Sequence, residues 1–144
     1  MVEIRHTAGA ALTAFVSDGC SGGLSAVWAS TSAAIPELAR THGTRPPWEN
    51  CCVAHDRAYH AGGPLDAEAS FLARLSADET LRQCVINIGL DRTEELAAAY
   101  GINHEQVGRL YKSIAALMYR AVRLGGAPCT TLTWRWGFGW PPCR

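Results

Sequence analysis

Residues 51–63 read CCVAHDRAYHAGG, and three readings compete for them: a metal site, a catalytic site, or a helix merely stapled by disulfides. A helix starting at about Trp48 can run to His60, where Gly62-Gly63 supplies a left-handed ending and Pro64 prevents resumption. On that helix Cys52, His55, Asp56 and Tyr59 stand at i, i+3, i+4 and i+7 and therefore share one face. Cys51 lies about 100 degrees around and can fasten a second element. Two staples at the start of a helix hold His and Asp rigidly, which catalysis needs more than stability does. Taken alone, His beside Asp is an ordinary structural pair, so the neighbours decide. Zinc held by His55 and His60 is not expected, because a spacing of five sets them about 140 degrees apart.

The 144 residues fit one domain spanning 1–144. Lys plus Arg and Asp plus Glu number 13 each, without runs of like charge, so no nucleic-acid footprint is read. The six cysteines form an even set without the C-x-x-C doublets of zinc ribbons. Disulfides are the better reading and imply an oxidising compartment, secreted or periplasmic, with a reduced cytosolic protein as the alternative. MVEIRHTAGAALTAFV at the start carries Glu3 and His6 and lacks the apolar run of a secretory signal, so a mature form behind a start Met is expected. No segment reaches the ~20 apolar residues of a membrane span.

Upstream, DGCSGGLS is a glycine-rich loop, and residues 24–39 form a short helix stopping near Pro36. THGTRPPW follows as an exposed connector. After Pro64, a helix runs to about Ile88, with Leu65, Ala69, Leu72, Leu75 and Leu81 at roughly helical spacing. Asp91-Arg92-Thr93-Glu94-Glu95 is a polar break with helix-starting character, and a third long helix covers Asn103 to Leu124. Its apolar face is read as Val107, Leu110, Tyr111, Ile114, Leu117, Met118, Ala121 and Val122. In TTLTWRWGFGWPPC, Leu132, Trp134, Trp136, Phe138 and Trp140 alternate at period two, which predicts an extended strip with one aromatic side, covering the core or dipping into a lipid interface. The fold class is all-α with an extended aromatic tail.

CCVAHDRAY resembles the active-site helix of the secreted phospholipase A2 superfamily, Cys-Cys-x-x-His-Asp followed by Tyr. DGCSGGLS resembles the calcium loop in its bacterial Asp-Gly-Cys-Ser form. SADETLRQC supplies Asp78 and, six residues on, Cys84, the relation in which that family sets the partner of its His and the cysteine bridging to the first of the CC pair. Together these motifs cover roughly residues 18–23 and 51–84. The resemblance implies two antiparallel disulfide-linked helices and bridges Cys20 to Cys52, Cys51 to Cys84 and Cys129 to Cys143. It implies His55 as general base, Asp78 as its orienting partner, Tyr59 as hydrogen-bonding support, and Asp56 as calcium ligand with Asp18, Gly19 and Gly23 of the loop. Ala58 stands where vertebrate members carry a Cys, in keeping with a bacterial type.

The implied activity is calcium-dependent hydrolysis of the sn-2 ester of a phospholipid at a membrane surface, without a Ser nucleophile. Ser21 in GCSGG lacks the G-x-S-x-G elbow. Two rivals stand beside it: a non-catalytic phospholipase A2-like binding or toxin module, and a structural domain in which the His-Asp pair only packs.

Overall fold

The computed structural model describes residues 2–7, 9–17, 19–20 and 23–143. Seven helices and no strand occur among them: α1 (Val2–Arg5), α2 (Gly23–Ala34), α3 (Pro36–His42), α4 (Glu49–Ala61), α5 (Ala67–Asp91), α6 (Thr93–Tyr100) and α7 (His104–Gly125). The expected all-helical class is found; the one helix read over 24–39 is two, α2 and α3, and α1 and α6 are additional. Pro36 ends the hydrogen bonding of α2 but sits comfortably in the first turn of α3, where a missing N–H costs nothing. The Thr93-Glu94-Glu95 run opens α6 rather than leading straight to the last helix.

The boundaries follow local chemistry. Gly62 closes α4 with φ 71°, its N–H bonding Ala58 O, a conformation that a side chain disfavours. Asp66 caps α5 by accepting from Ala69 N at 2.8 Å. α7 carries a complete capping box, with Asn103 and Gln106 each accepting the other's backbone N–H at 2.9 Å.

α5 is the axis, packing on α4, α6 and α7, and α2 lies against α7. The core holds Leu81 and Val85 of α5, Trp28 and Leu24 of α2, Leu38, Trp48 and Leu96. On α7 the buried stripe is Val107, Tyr111, Ile114, Ala115, Met118 and Val122. Leu117, expected on that stripe, is exposed. Likewise Leu65 and Leu72 of the expected α5 face are about half exposed. The inward stripe of α5 is instead Ser70, Arg74, Asp78, Leu81, Val85 and Gly89, because its first half is occupied by a polar network. The connector before α4 is not wholly exposed either: Pro46 and Trp48 are buried, Trp48 stacking edge-on against Trp28 and Tyr111.

The aromatic tail is not an extended strip. It folds as consecutive turns, with Arg135, Trp136 and Gly137 buried one after another. Arg135 donates to Gly137 O and Trp140 O within the tail, drawing the chain into a knot that period-two alternation does not foresee. The tail N–H groups of Gly137 and Gly139 bond the carbonyls of Tyr59 and His60, completing the end of α4. Cys129–Cys143 staples the segment.

Candidate active site

Paired contacts between α4 and α5 run in opposite senses along the two helices: Cys51 with Cys84, His55 with Asp78, Tyr59 with Arg74, and Gly62 with Ser70. The helices are therefore antiparallel. The three disulfides are Cys20–Cys52, Cys51–Cys84 and Cys129–Cys143, the pairs that the sequence resemblance implies. The first two leave Cys51 and Cys52 buried at the start of α4, anchoring it to the loop on one side and to α5 on the other.

Asp78 is fully buried, and each of its oxygens is used. Oδ1 accepts from His55 Nε2 at 2.9 Å and from the Tyr59 hydroxyl at 2.7 Å. Oδ2 accepts from Arg123 Nη1 at 2.8 Å, and Arg74 Nε stands 4.0 Å from it. Burial pushes the Asp78 carboxyl up, but the hydrogen bonds from His55, Arg123 and Tyr59 outweigh it and hold the group below the usual carboxylate value. Asp78 is thus an ionised acceptor. In a neutral His55 ring that fixes the tautomer, with the proton on Nε2 and the lone pair on Nδ1. Burial and the neighbouring Asp78 charge push the Tyr59 phenol well up, so it remains a donor to Asp78. Its oxygen in turn accepts from Arg74 Nε at 3.2 Å.

Two members of this network have no place in the sequence expectation. Arg74 precedes Asp78 by one helical turn, a spacing that puts both on one face and could have revealed it. Arg123 comes from the end of α7, and nothing local to α5 signals it. Arg74 also donates Nη2 to the carbonyls of Val122 and Arg123 at 3.0 and 2.7 Å, tying the network to the C-terminus of α7.

His55 also lines a cavity of about 360 Å³ between α4 and α5, walled by Ala54, Ala58, Ala73, Ala77 and Leu81. Alanines on both helices leave the gap that larger side chains would fill. A larger cavity of about 720 Å³ opens between α6 and α7 around Gly101 and His104 and shares none of these residues. The other histidines stand apart from the dyad: His60 meets the Thr13 hydroxyl and the rings of Phe15 and Phe138, and His42 bonds the Tyr100 hydroxyl.

Asp56, half buried, accepts from the Ser17 hydroxyl at 2.9 Å. Ser17 Oγ also takes the Gly19 N–H at 3.2 Å, so Ser17 ties Gly19 to the carboxylate beside His55. Gly19 has φ 77°, and a Cβ there would stand 2.6 Å from Glu49 Oε1. Glu49 and Asp56 are two turns apart on α4, which sets both carboxylates along the side that the loop covers. Of the other expected loop ligands, Gly23 is the first residue of α2 and Asp18 lies outside the described residues. Among the described residues no three His, Cys, Asp or Glu side chains gather as a metal group, so a cation here would depend on backbone and hydroxyl oxygens besides Asp56. Such hard donors suit calcium. No family model, curated protein or solved structure matches the chain.

Proposed function

We propose that the protein is a calcium-dependent phospholipase A2, hydrolysing the sn-2 ester of a glycerophospholipid to a fatty acid and a lysophospholipid. The observation that carries this reading is the buried His55–Asp78 pair at 2.9 Å, set beside an apolar cavity. With its proton on Nε2, His55 offers the Nδ1 lone pair to a water molecule attacking the ester. Asp78 stabilises the imidazolium that forms, and Arg123 and Tyr59 keep Asp78 ionised throughout. The alanine walls around His55 suit an acyl chain. Asp56, with Asp18 and Gly19 of the loop and Gly23 at the start of α2, would hold a calcium ion, which when bound supplies positive charge for the phosphate and for the ester oxygen as it becomes negative. Ser17 keeps the Asp56 carboxylate turned to the loop. The substrate would be met at a membrane surface, and the three disulfides favour a secreted or periplasmic setting.

The alternative is a non-catalytic phospholipase A2-like binding module. It draws on the engagement of Asp56 by Ser17, which a bound cation would have to share or displace. Fatty-acid release from phosphatidylcholine vesicles, with calcium and with chelator, separates the two. Catalysis by His55 requires His55→Ala to fall by roughly 10²- to 10⁴-fold. Undiminished release by that variant refutes the mechanism, and no release by the native protein from any lipid presentation supports the binding module.

A further inference from the structure

A third cavity, about 300 Å³, lies on the far side of the Asp78 network, between α1, the start of α5 and the tail. Its walls are apolar, formed by Ala67, Phe71, Pro128 and Trp136, while Arg74 and Glu3 also line it. The size is at the lower end of small-molecule sites, which begin at about 300 Å³. Two of its features point to an anion.

The first is charge. The guanidiniums of Arg74 and Arg123 share the one carboxylate of Asp78. The carbonyls of Val122 and Arg123 that Arg74 also meets add the negative end of α7, equivalent to roughly half a charge. Apart from Glu3, which is exposed where it borders the cavity, one and a half negative charges face two positive ones, and Arg74 is only 6% exposed, so water screens the excess poorly.

The second is hydrogen bonding. Arg74 Nε is committed to Tyr59, and Nη2 to the two α7 carbonyls, whereas Nη1 makes no hydrogen bond among the described residues. Every sealed side-chain nitrogen and oxygen there has a partner, so Nη1 is not sealed. Arg74 lines the cavity, and Nη1 is the nitrogen its other contacts leave for a ligand there. Glu3 makes no ion pair among the described residues, although it borders the same space.

We infer that this cavity binds a carboxylate with a short apolar body, its head on Arg74 Nη1 and its body against Phe71, Pro128 and Trp136. A carboxylate rather than a phosphate fits because the donors are few. The Ser70 hydroxyl already donates to Gly62 O and accepts from Trp136 Nε1, leaving one guanidinium edge. Glu3 is the internal competitor for that edge. The site is separate from the His55 cavity, and its binding does not depend on the proposed activity. If that activity holds, a released fatty acid is one source of such a ligand.

Arg74 also holds Tyr59 and α7, so the test blocks the cavity from its wall. Titration with octanoate, octanol and octyl phosphate is followed by the NMR signals of Arg74 Nε–H and Trp136 Nε1–H. Octanoate should shift both saturably and bind about tenfold tighter than octanol, the difference expected of a charge-assisted bond. Ala67→Trp, at an exposed position, should weaken octanoate by about tenfold or more with the thermal midpoint kept. Glu3→Gln should tighten it. Equal affinity for octanoate and octanol, or full octanoate affinity in folded Ala67→Trp, overturns the site. Octyl phosphate binding better than octanoate overturns the carboxylate assignment.

Discussion

Replacing Asp78 by Asn keeps the shape of a wholly buried side chain and removes the charge that four groups surround. In the native protein its oxygens accept from His55, Tyr59 and Arg123, with Arg74 4.0 Å away. An amide offers one acceptor oxygen and turns an N–H₂ toward at least one of those donors, and it leaves two guanidiniums with no anion. Breaking a buried ion pair from one side costs about 3–5 kcal/mol, and loss of three charge-assisted bonds puts Asp78→Asn in that range. For a domain of this size that is a fall in Tm of about 10–20 °C. The cost should depend on pH. The native pKa of Asp78 lies below its ordinary 3.8, so its stabilisation is complete above 3.8 and is lost as pH falls through the native value. Urea melts of both proteins at pH 7, 5 and 3 should show a constant gap at the first two and a narrower one as acid approaches the native value. A difference below about 1 kcal/mol at pH 7 would refute the reasoning, because it would mean that solvent rather than Asp78 neutralises Arg74 and Arg123.

Other consequences can be measured directly. Gly89 meets Tyr111 so closely that a Cβ would stand 2.5 Å from its ring; Gly89→Ala should therefore cost about 1–3 kcal/mol in urea melts, although alanine is the better helix former. An unchanged or higher midpoint contradicts the close crossing of α5 and α7. Replacing Cys51 and Cys84 by Ser opens a link across 33 residues and should cost roughly 3–4 kcal/mol, read as a denaturant midpoint; a loss below about 1 kcal/mol would show that packing alone sets the register of α4 on α5. Burial and the nearby Arg92 charge lower the His42 pKa below 6.5, with Glu95 opposing. Its NMR titration should fall below that value, and stability should drop as pH falls through it; a midpoint above 6.5 contradicts the burial of His42 beside Arg92.

The sequence was informative wherever one helix carried the whole message. Cys51, His55, Asp56, Tyr59 and Gly62 declare a helix, its end and a polar face within a dozen residues, and α7 announces itself by its cap and apolar stripe. The first half of α5 was misread for a physical reason: its inward face is charged, so the leucines that look like core lie outside. Arg123 could not be found, since its role depends on where the far end of α7 lands. The tail was misread because aromatic alternation suggests a strip, while the buried Arg135 folds it on itself.

Trp136 stands edge-on to Tyr59 with ring centres 5.0 Å apart, and the tail N–H groups finish the carbonyls at the end of α4. This makes the tail part of the surroundings of Tyr59 and of the end of α4. His55 and Asp78 meet between α4 and α5, but the wall behind Tyr59 is made from residues that follow α7. A chain without the tail would hold the His55–Asp78 pair but lack the ring behind Tyr59 and the donors for the carbonyls at the end of α4. The docked tail closes that side, and Cys129–Cys143 ties the segment that does so into a loop.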